Sequence, residues 1–434
     1  MSEELFFSDY TRKLADAMNS LKPTAIHGNS WARDLYLSKW ISFGDSTTFN
    51  GVIISCDGSV AESSFSGGLT AWYARALAHI YRPGEPLTPL PLSNVRIGYR
   101  MAGKTWFMRT LELRLLRQAI ERCLESSRED ILALCDGSLY LTILHYPPHL
   151  ERMADTLLGY VRELSALLRL VLERGVKLIG VSKDSDARYV RARLLLEALI
   201  REDEKSLPLV RLRSIGEIRN KLKSLIDAAD ESRKSILGKF LEEFESELSD
   251  EELYDIITRE PGFTHPLVLA PQTLYVSEEI KADTKDWWGS VFRARLTQRE
   301  SLAPLAEALD ALYQLPPIAI SYWRPHHGLG MYRLDIPSGL LGFSMRWGDM
   351  WGDMFLEGLS WLNPFKSYVS ALNGLSPEPL FVKPLMEVDQ IVRLDRKLYS
   401  QVYEPVLTTE LRRRGIRAME RKRRRRDLVL RGIL

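Results

Sequence analysis

Four acidic residues stand where chemistry is possible. Asp57 closes the apolar run 51–56 and Asp136 closes the apolar run 131–135, and each is followed by Gly-Ser. A carboxylate ending a strand sits at a sheet edge where a ligand can reach it, and the glycine after it lets the backbone turn away. Asp-Gly is also a common turn pair, so turn geometry explains either motif alone equally well. Their repetition is what points to a shared site. Glu112 falls in the first turn of a helix predicted over 108–126, where an acid is often simple compensation of the helix dipole. Asp389 lies in a second predicted helix, 384–400. Carboxylates gathered without a cation repel one another, so a converging set implies a metal or shifted protonation. Hard oxygen ligands suit manganese or magnesium, and two such ions can activate a water and stabilise a leaving oxygen.

The elements that must position these acids follow from periodicity. Strands are predicted at 51–57, 69–81 and 94–108. The helix 108–126 follows, with Leu111, Leu115, Leu116, Ala119 and Ile120 on one face. A strand at 131–141, a long helix at 149–174 and a strand at 176–183 complete the series. Strand, strand, strand, helix, strand, helix, strand is a mixed α/β pattern rather than strict alternation. An acid on the first strand, one on the first helix and one on the fourth strand is the ribonuclease H-like arrangement, and its natural chemistry is phosphodiester hydrolysis.

Residues 186–260 differ in kind: they are highly charged and helical, and read as an insertion. Strand signals return at 317–323, 329–336 and 340–346. The chain thus divides into an N-terminal helical segment (1–50, with an amphipathic helix at 4–22), the first part of the nuclease-like core (51–185), the insertion (186–260), the rest of the core (261–405) and a basic C-terminal tail (406–434).

These motifs, taken in order, resemble the archaeal NurA family. The matching pieces are Ile54-Ser-Cys-Asp57-Gly-Ser59, Leu111-Glu112, Leu134-Cys-Asp136-Gly-Ser138, Gly180-Val-Ser-Lys183, Ile320-Ser-Tyr322, Tyr332-Arg333-Leu-Asp335-Ile-Pro337 and Pro384-Leu-Met-Glu-Val-Asp389. The resemblance implies a homodimer and a metal-dependent deoxyribonuclease. It would be an exonuclease, acting also as an endonuclease on single strands, in double-strand break repair beside a hexameric HerA-type helicase-translocase. It further implies that Asp57, Glu112, Asp136 and Asp389 hold two manganese or magnesium ions. Relatives commonly carry His where Asp389 stands, so this chain departs from the pattern there. Lys183 and Arg333 are then DNA-binding candidates, with Tyr322 and Asp335 in support. Another ribonuclease H-like phosphoryl transferase, such as a junction resolvase, and a non-catalytic DNA clamp are the rival readings.

Other features bound the possibilities. No apolar run is long enough to span a membrane, and the first residues lack the pattern of a secretory signal, which places the expected protein in the cytoplasm. Cys56, Cys123 and Cys135 form no CxxC pair, so neither a disulfide framework nor a zinc site is expected. The 25 residues from Glu410 hold 11 Lys and Arg against 3 acids, a net +8 that leaves the rest of the chain at −6. Such a tail can meet DNA phosphates, an acidic partner or only water. Trp347, Trp351, Phe355 and Trp361 have spacing that reads as a helical apolar face used in packing. His326 and His327 read as loop residues.

Overall fold

The structure is a computed structural model that describes residues 10, 11, 13, 14, 30–126, 129–141, 150–183, 185–211, 215–271, 293–328, 330–350, 352–377 and 381–416. Most of the expected 4–22 helix, Trp351 and residues 417–434 of the basic tail lie outside them.

The elements relevant to the site are α1 (Ser30–Leu37), β1 (Trp40–Ser42), β2 (Val52–Ser64), β3 (Leu69–Tyr81), β4 (Thr88–Tyr99), α2 (Lys104–Ser126), β5 (Ile131–Asp136), α3 (Leu150–Arg174) and β6 (Lys177–Ser182). The insertion supplies α4 (Tyr189–Glu202), α5 (Ile215–Asp227), α6 (Glu231–Glu245) and α7 (Asp250–Ile257). After β7 (Gly262–Thr264) and β8 (Leu267–Val268) come α8 (Arg293–Thr297), α9 (Ala303–Tyr313), β9 (Ile318–Arg324), β10 (Tyr332–Pro337), β11 (Met354–Phe355), α10 (Leu362–Leu375) and α11 (Lys383–Val392).

One sheet runs in the order β1-β7-β9-β10-β6-β5-β2-β3-β4, with β8 and β11 joined beside β9. Strands β2, β3 and β4 pair antiparallel, whereas β2, β5 and β6 pair parallel. The order β4-β3-β2-β5-β6, with a helix after the third strand, is ribonuclease H-like. Strand β10 extends the sheet antiparallel to β6.

Helix α2 forms because its apolar residues share one face. Leu111, Leu115, Leu116, Ala119 and Ile120 are all under 5% exposed, and burying each of the larger ones contributes roughly 1.5–3 kcal/mol. Cys56 points toward α2, its Sγ donating to the Glu112 carbonyl at 3.5 Å. Asp57, one residue on, therefore faces the other side of the sheet. Leu77, opposite Asp57 in the ladder, packs there against Val388 and Val392 of α11. Helices α2 and α11 thus clamp β2 from opposite faces.

Several expectations need correction. Strand β2 does not end at Asp57 but continues to Ser64. Helix α2 starts at Lys104, so Glu112 is in its third turn, too far in for dipole compensation to explain it. Residues 338–341 form a short 3-10 turn and 342–346 are not a strand. The predicted 384–400 helix breaks after Val392. The aromatic stripe is no helical face: Trp347 lies in a 3-10 turn, Phe355 in β11, and Trp361 caps α10. Trp347 and Trp361 are nonetheless buried core residues.

Candidate metal centre

The sheet opens where β5 stops. The β2–β5 ladder ends at Cys56↔Cys135, and the β5–β6 ladder ends one residue later at Asp136↔Val181. Beyond that point the β5 side of β2 has no neighbouring strand from β5, and Asp57 stands at the lip of the gap. Asp136 is the last residue of β5, and Gly137, at φ +95°, turns the chain away as the sequence predicts. Gly58 has a different task from the expected turn. A Cβ there would lie 2.6 Å from Met108 Sδ and 3.4 Å from Glu112 Oε2, so its bareness lets α2 bring Glu112 against the strand.

These acids bear on one another electrostatically. Asp57 is 8% exposed. Burial, then the charges of Glu112 and Asp136, push its carboxyl up to about 8, with Asp389 adding to the repulsion and the Gly58 N–H opposing it. That N–H donates to Asp57 Oδ1 at 2.7 Å. Glu112 is fully buried, and burial raises its carboxyl despite the opposing pull of Arg109. Its Oε1 accepts from Arg109 Nη1 at 2.7 Å and from Cys135 Sγ at 3.0 Å, while its Oε2 is buried with no partner. An orphaned carboxylate oxygen in a nest of acids is costly unless a cation completes it. The oxygen-rich donor set and this orphan fit a divalent ion such as manganese or magnesium. As the side chains stand, no group of three or more His, Cys, Asp or Glu among the described residues is drawn closely enough to hold an ion. Two protein cations occupy carboxylate oxygens instead: Arg109 on Glu112, and Lys183, whose Nζ donates to Asp136 Oδ2 at 3.0 Å and sits 4.4 Å from the Phe381 ring.

Arg109 was not singled out by the sequence reading. Besides Glu112 it donates to the carbonyls of Asp136 and, at 2.7 Å, Ser138. One guanidinium thereby ties the α2 acid to the turn that carries the β5 acid. The Arg-x-x-Glu spacing of an ion pair along a helix was the available signal. Cys135, expected only to lie outside any disulfide or zinc site, has a second use: its thiol, raised by burial, stays protonated and serves as a donor to Glu112.

The remaining candidates lie around this gap or away from it. Asp389 on α11 is half-buried and faces Asp57 electrostatically. Arg75 fixes the end of that helix, donating to the carbonyls of Val392 at 2.7 Å, Ile391 at 3.2 Å and Arg393 at 2.7 Å. Arg333 and Asp335 form a buried bidentate pair at 2.8 and 3.0 Å. Asp335 Oδ2 also accepts from Ser138 Oγ at 2.7 Å, Leu139 N at 2.9 Å and Tyr140 N at 3.1 Å. The pair is a latch on the loop after Asp136, and it leaves the Arg333 guanidinium buried rather than presented to a ligand. Tyr322 is fully buried; its hydroxyl faces Asp250 and its ring stacks 6.2 Å from Tyr254, so it supports the insertion rather than the acids. His326 pairs with the Ser376 carbonyl and His327 with the Arg259 carbonyl at 2.9 Å, both away from the carboxylates.

The sequence pattern of the NurA domain covers residues 51–341, which takes in the strands and the helix that carry Asp57, Glu112 and Asp136. This chain belongs to the NurA family. The match ends before α11, so Asp389 falls outside it. Among solved structures, the chain is similar to the NurA nuclease from Sulfolobus solfataricus at 14% identity and a TM-score of 0.49, over 93% of this chain and 98% of that one. It is also similar to a NurA structure bound to dAMP and manganese at 13% identity and a TM-score of 0.38, over 94% and 98%. Among curated proteins, none matches the chain. No helix among the described residues of this NurA-family chain is long and apolar enough to cross a membrane.

Proposed function

We propose that this chain is a metal-dependent deoxyribonuclease whose two metal ions would be held by Asp57, Glu112, Asp136 and Asp389. The observation that carries the reading is the convergence on Asp57: a buried carboxyl driven up to about 8 by burial, Glu112 and Asp136, beside the partnerless Oε2 of Glu112. Family membership supports it; the manganese and dAMP named above belong to another protein.

Bound there, manganese or magnesium supplies positive charge that makes a water nucleophilic and stabilises the leaving 3′ oxygen. The chain's own groups do the rest. Arg109 and Cys135 hold Glu112 Oε1 and leave Oε2 unpartnered beside Gly58. The latch of Arg333 and Asp335 fixes the turn after Asp136. Lys183, here paired with Asp136, would be free to offer a point charge to a phosphate if that carboxylate held an ion. Digestion from DNA ends, as a homodimer beside a HerA-type translocase in break repair, extends the same reading. So does a cytoplasmic location.

A non-catalytic clamp is the second reading, favoured by the two ion pairs that occupy Glu112 and Asp136. Cleavage of end-labelled linear single- and double-stranded DNA, with manganese, magnesium or EDTA, separates the two. Metal-dependent degradation that disappears in Asp57→Ala supports the nuclease. Degradation that survives in Asp57→Ala refutes this site, and a wild type that binds DNA but never cuts it favours the clamp.

A further inference from the structure

A second charged cavity lies apart from the acids. It has a volume of about 330 Å³ and is lined by Arg96, Tyr99, Arg100, Met101, Ala102, Arg152 and Asp155. Arg96 comes from β4, Arg100 from the link into α2, and Arg152 from α3. Arg96 Nη2 donates to Asp155 Oδ2 at 3.2 Å, while Arg100 and Arg152 are exposed and make no ion pair among the described residues. Three guanidiniums face one carboxylate, so the cavity carries net positive charge.

Its backbone is unusual at the same place. Arg100 has φ +51°, and no other non-glycine described residue has a positive φ. A left-handed conformation is unfavourable for an arginine, and such outliers gather where a side chain must be aimed. The surroundings hold it: Arg100 N donates to the Gly68 carbonyl at 3.0 Å, and Gly103, at φ +86°, abuts Thr156 Oγ1 of α3. A glycine at position 100 would take this conformation at less cost, but it would carry no guanidinium.

The register gives the cavity's place relative to the acids. Arg96 pairs with Trp72, which pairs with Glu62, five residues beyond Asp57 along β2. That is ~17 Å along the strand at the usual rise, and the odd offset turns Arg96 away from the face of Asp57 and onto the α2 face, where Trp72 meets Phe107 and from which Glu112 approaches β2. We propose that this arginine cavity is a phosphodiester-binding subsite that grips the backbone of a DNA strand at a distance from the cleavage centre. Arginine forks match phosphate oxygens in a way a flexible lysine does not. Tyr99, 69% exposed at the rim, offers a face for a base. The inference rests on the nuclease reading for the identity of its ligand, and deepens it.

Binding is measured in EDTA, where no cleavage intervenes, by anisotropy of labelled deoxythymidine oligonucleotides of two and of about 12 nucleotides. The proteins are wild type, Arg100→Gly, Arg152→Ala, the double variant, and Arg122→Ala as a control that removes one exposed charge elsewhere on α2. The double variant is expected to bind the longer strand at least ~10-fold more weakly, with a salt slope reduced by about 1.4, while the dinucleotide is unaffected. Arg100→Gly is expected to melt no lower than wild type, because the strained position is relieved. Arg152→Ala carries the same test without touching that backbone. Longer-strand binding in the double variant equal to that of Arg122→Ala overturns the subsite. So does a loss of inorganic phosphate or dAMP binding with no length-dependent loss of oligonucleotide binding, which would mark a pocket for free phosphate. A wild type that binds without ever cutting in manganese sinks the nuclease reading and leaves the cavity standing.

Discussion

Glu112 and Asp335 are both fully buried carboxylates, and both connect to the turn that follows Asp136, Glu112 through Arg109 and Asp335 directly. Asp335 gives its two oxygens to five donor groups: two nitrogens of Arg333, the Ser138 hydroxyl and the N–H groups of Leu139 and Tyr140. Glu112 satisfies one oxygen through Arg109 and Cys135 and leaves the other bare. Burial is equal and satisfaction is not. A buried acid with every lone pair engaged belongs to the scaffold, and one with an oxygen held open is poised for a ligand. Arg109 links the two regions, since it binds Glu112 and the same turn that Asp335 latches.

That contrast can be broken from the scaffold side with the largest effect. Asp335→Ala strands the buried Arg333 charge and frees three donors of the turn, so it should cost about 3–5 kcal/mol of stability, read by urea unfolding. A variant as stable as wild type would show that the latch is not structural. Arg109→Lys keeps a charge but cannot span Glu112 and two carbonyls at once. It should lower metal affinity and cleavage by about 10–100-fold, with a smaller loss of stability than Asp335→Ala. Equal manganese affinity in Arg109→Lys and wild type would remove Arg109 from the positioning role.

A third effect depends on pH. Asp57 is raised to about 8 in the folded, metal-free chain, against an ordinary aspartate value when unfolded. Between those values the folded state holds a proton that the unfolded state has lost, so stability falls as pH rises from about 4 to about 8. Asp57→Asn removes this term. In EDTA it should melt a few degrees above wild type at pH 8 and close to wild type at pH 4. The same difference at both pH values would show that Asp57 is not forced to hold its proton.

The sequence made much of this arrangement legible. The repeated Asp-Gly-Ser after two apolar runs, and the three strands before the first helix, marked the core because burial leaves its period in the chain. Gly58 misled: an Asp-Gly pair signals a turn locally, and only the approach of Met108 and Glu112 from α2 reveals why a glycine stands inside a strand. Arg109 went unread because two of its three partners are carbonyls more than 25 residues away, and backbone acceptors carry no side-chain signature. Arg333 and Asp335 stand two apart on a strand and so share one face, yet whether that face was open could not follow from spacing. The strain at Arg100 belongs to the same class, since a left-handed arginine looks like any other in a sequence.

The central claim is that Asp57 and Glu112 belong to a divalent-cation site. Calorimetric titration of the metal-free chain with manganese tests it most directly, on wild type, Asp57→Ala and Glu112→Gln, each first checked for cooperative melting. Saturable binding in wild type that both folded variants lose is the predicted result. Manganese binding that is equally tight in all three proteins, or absent from the wild type, would contradict the account.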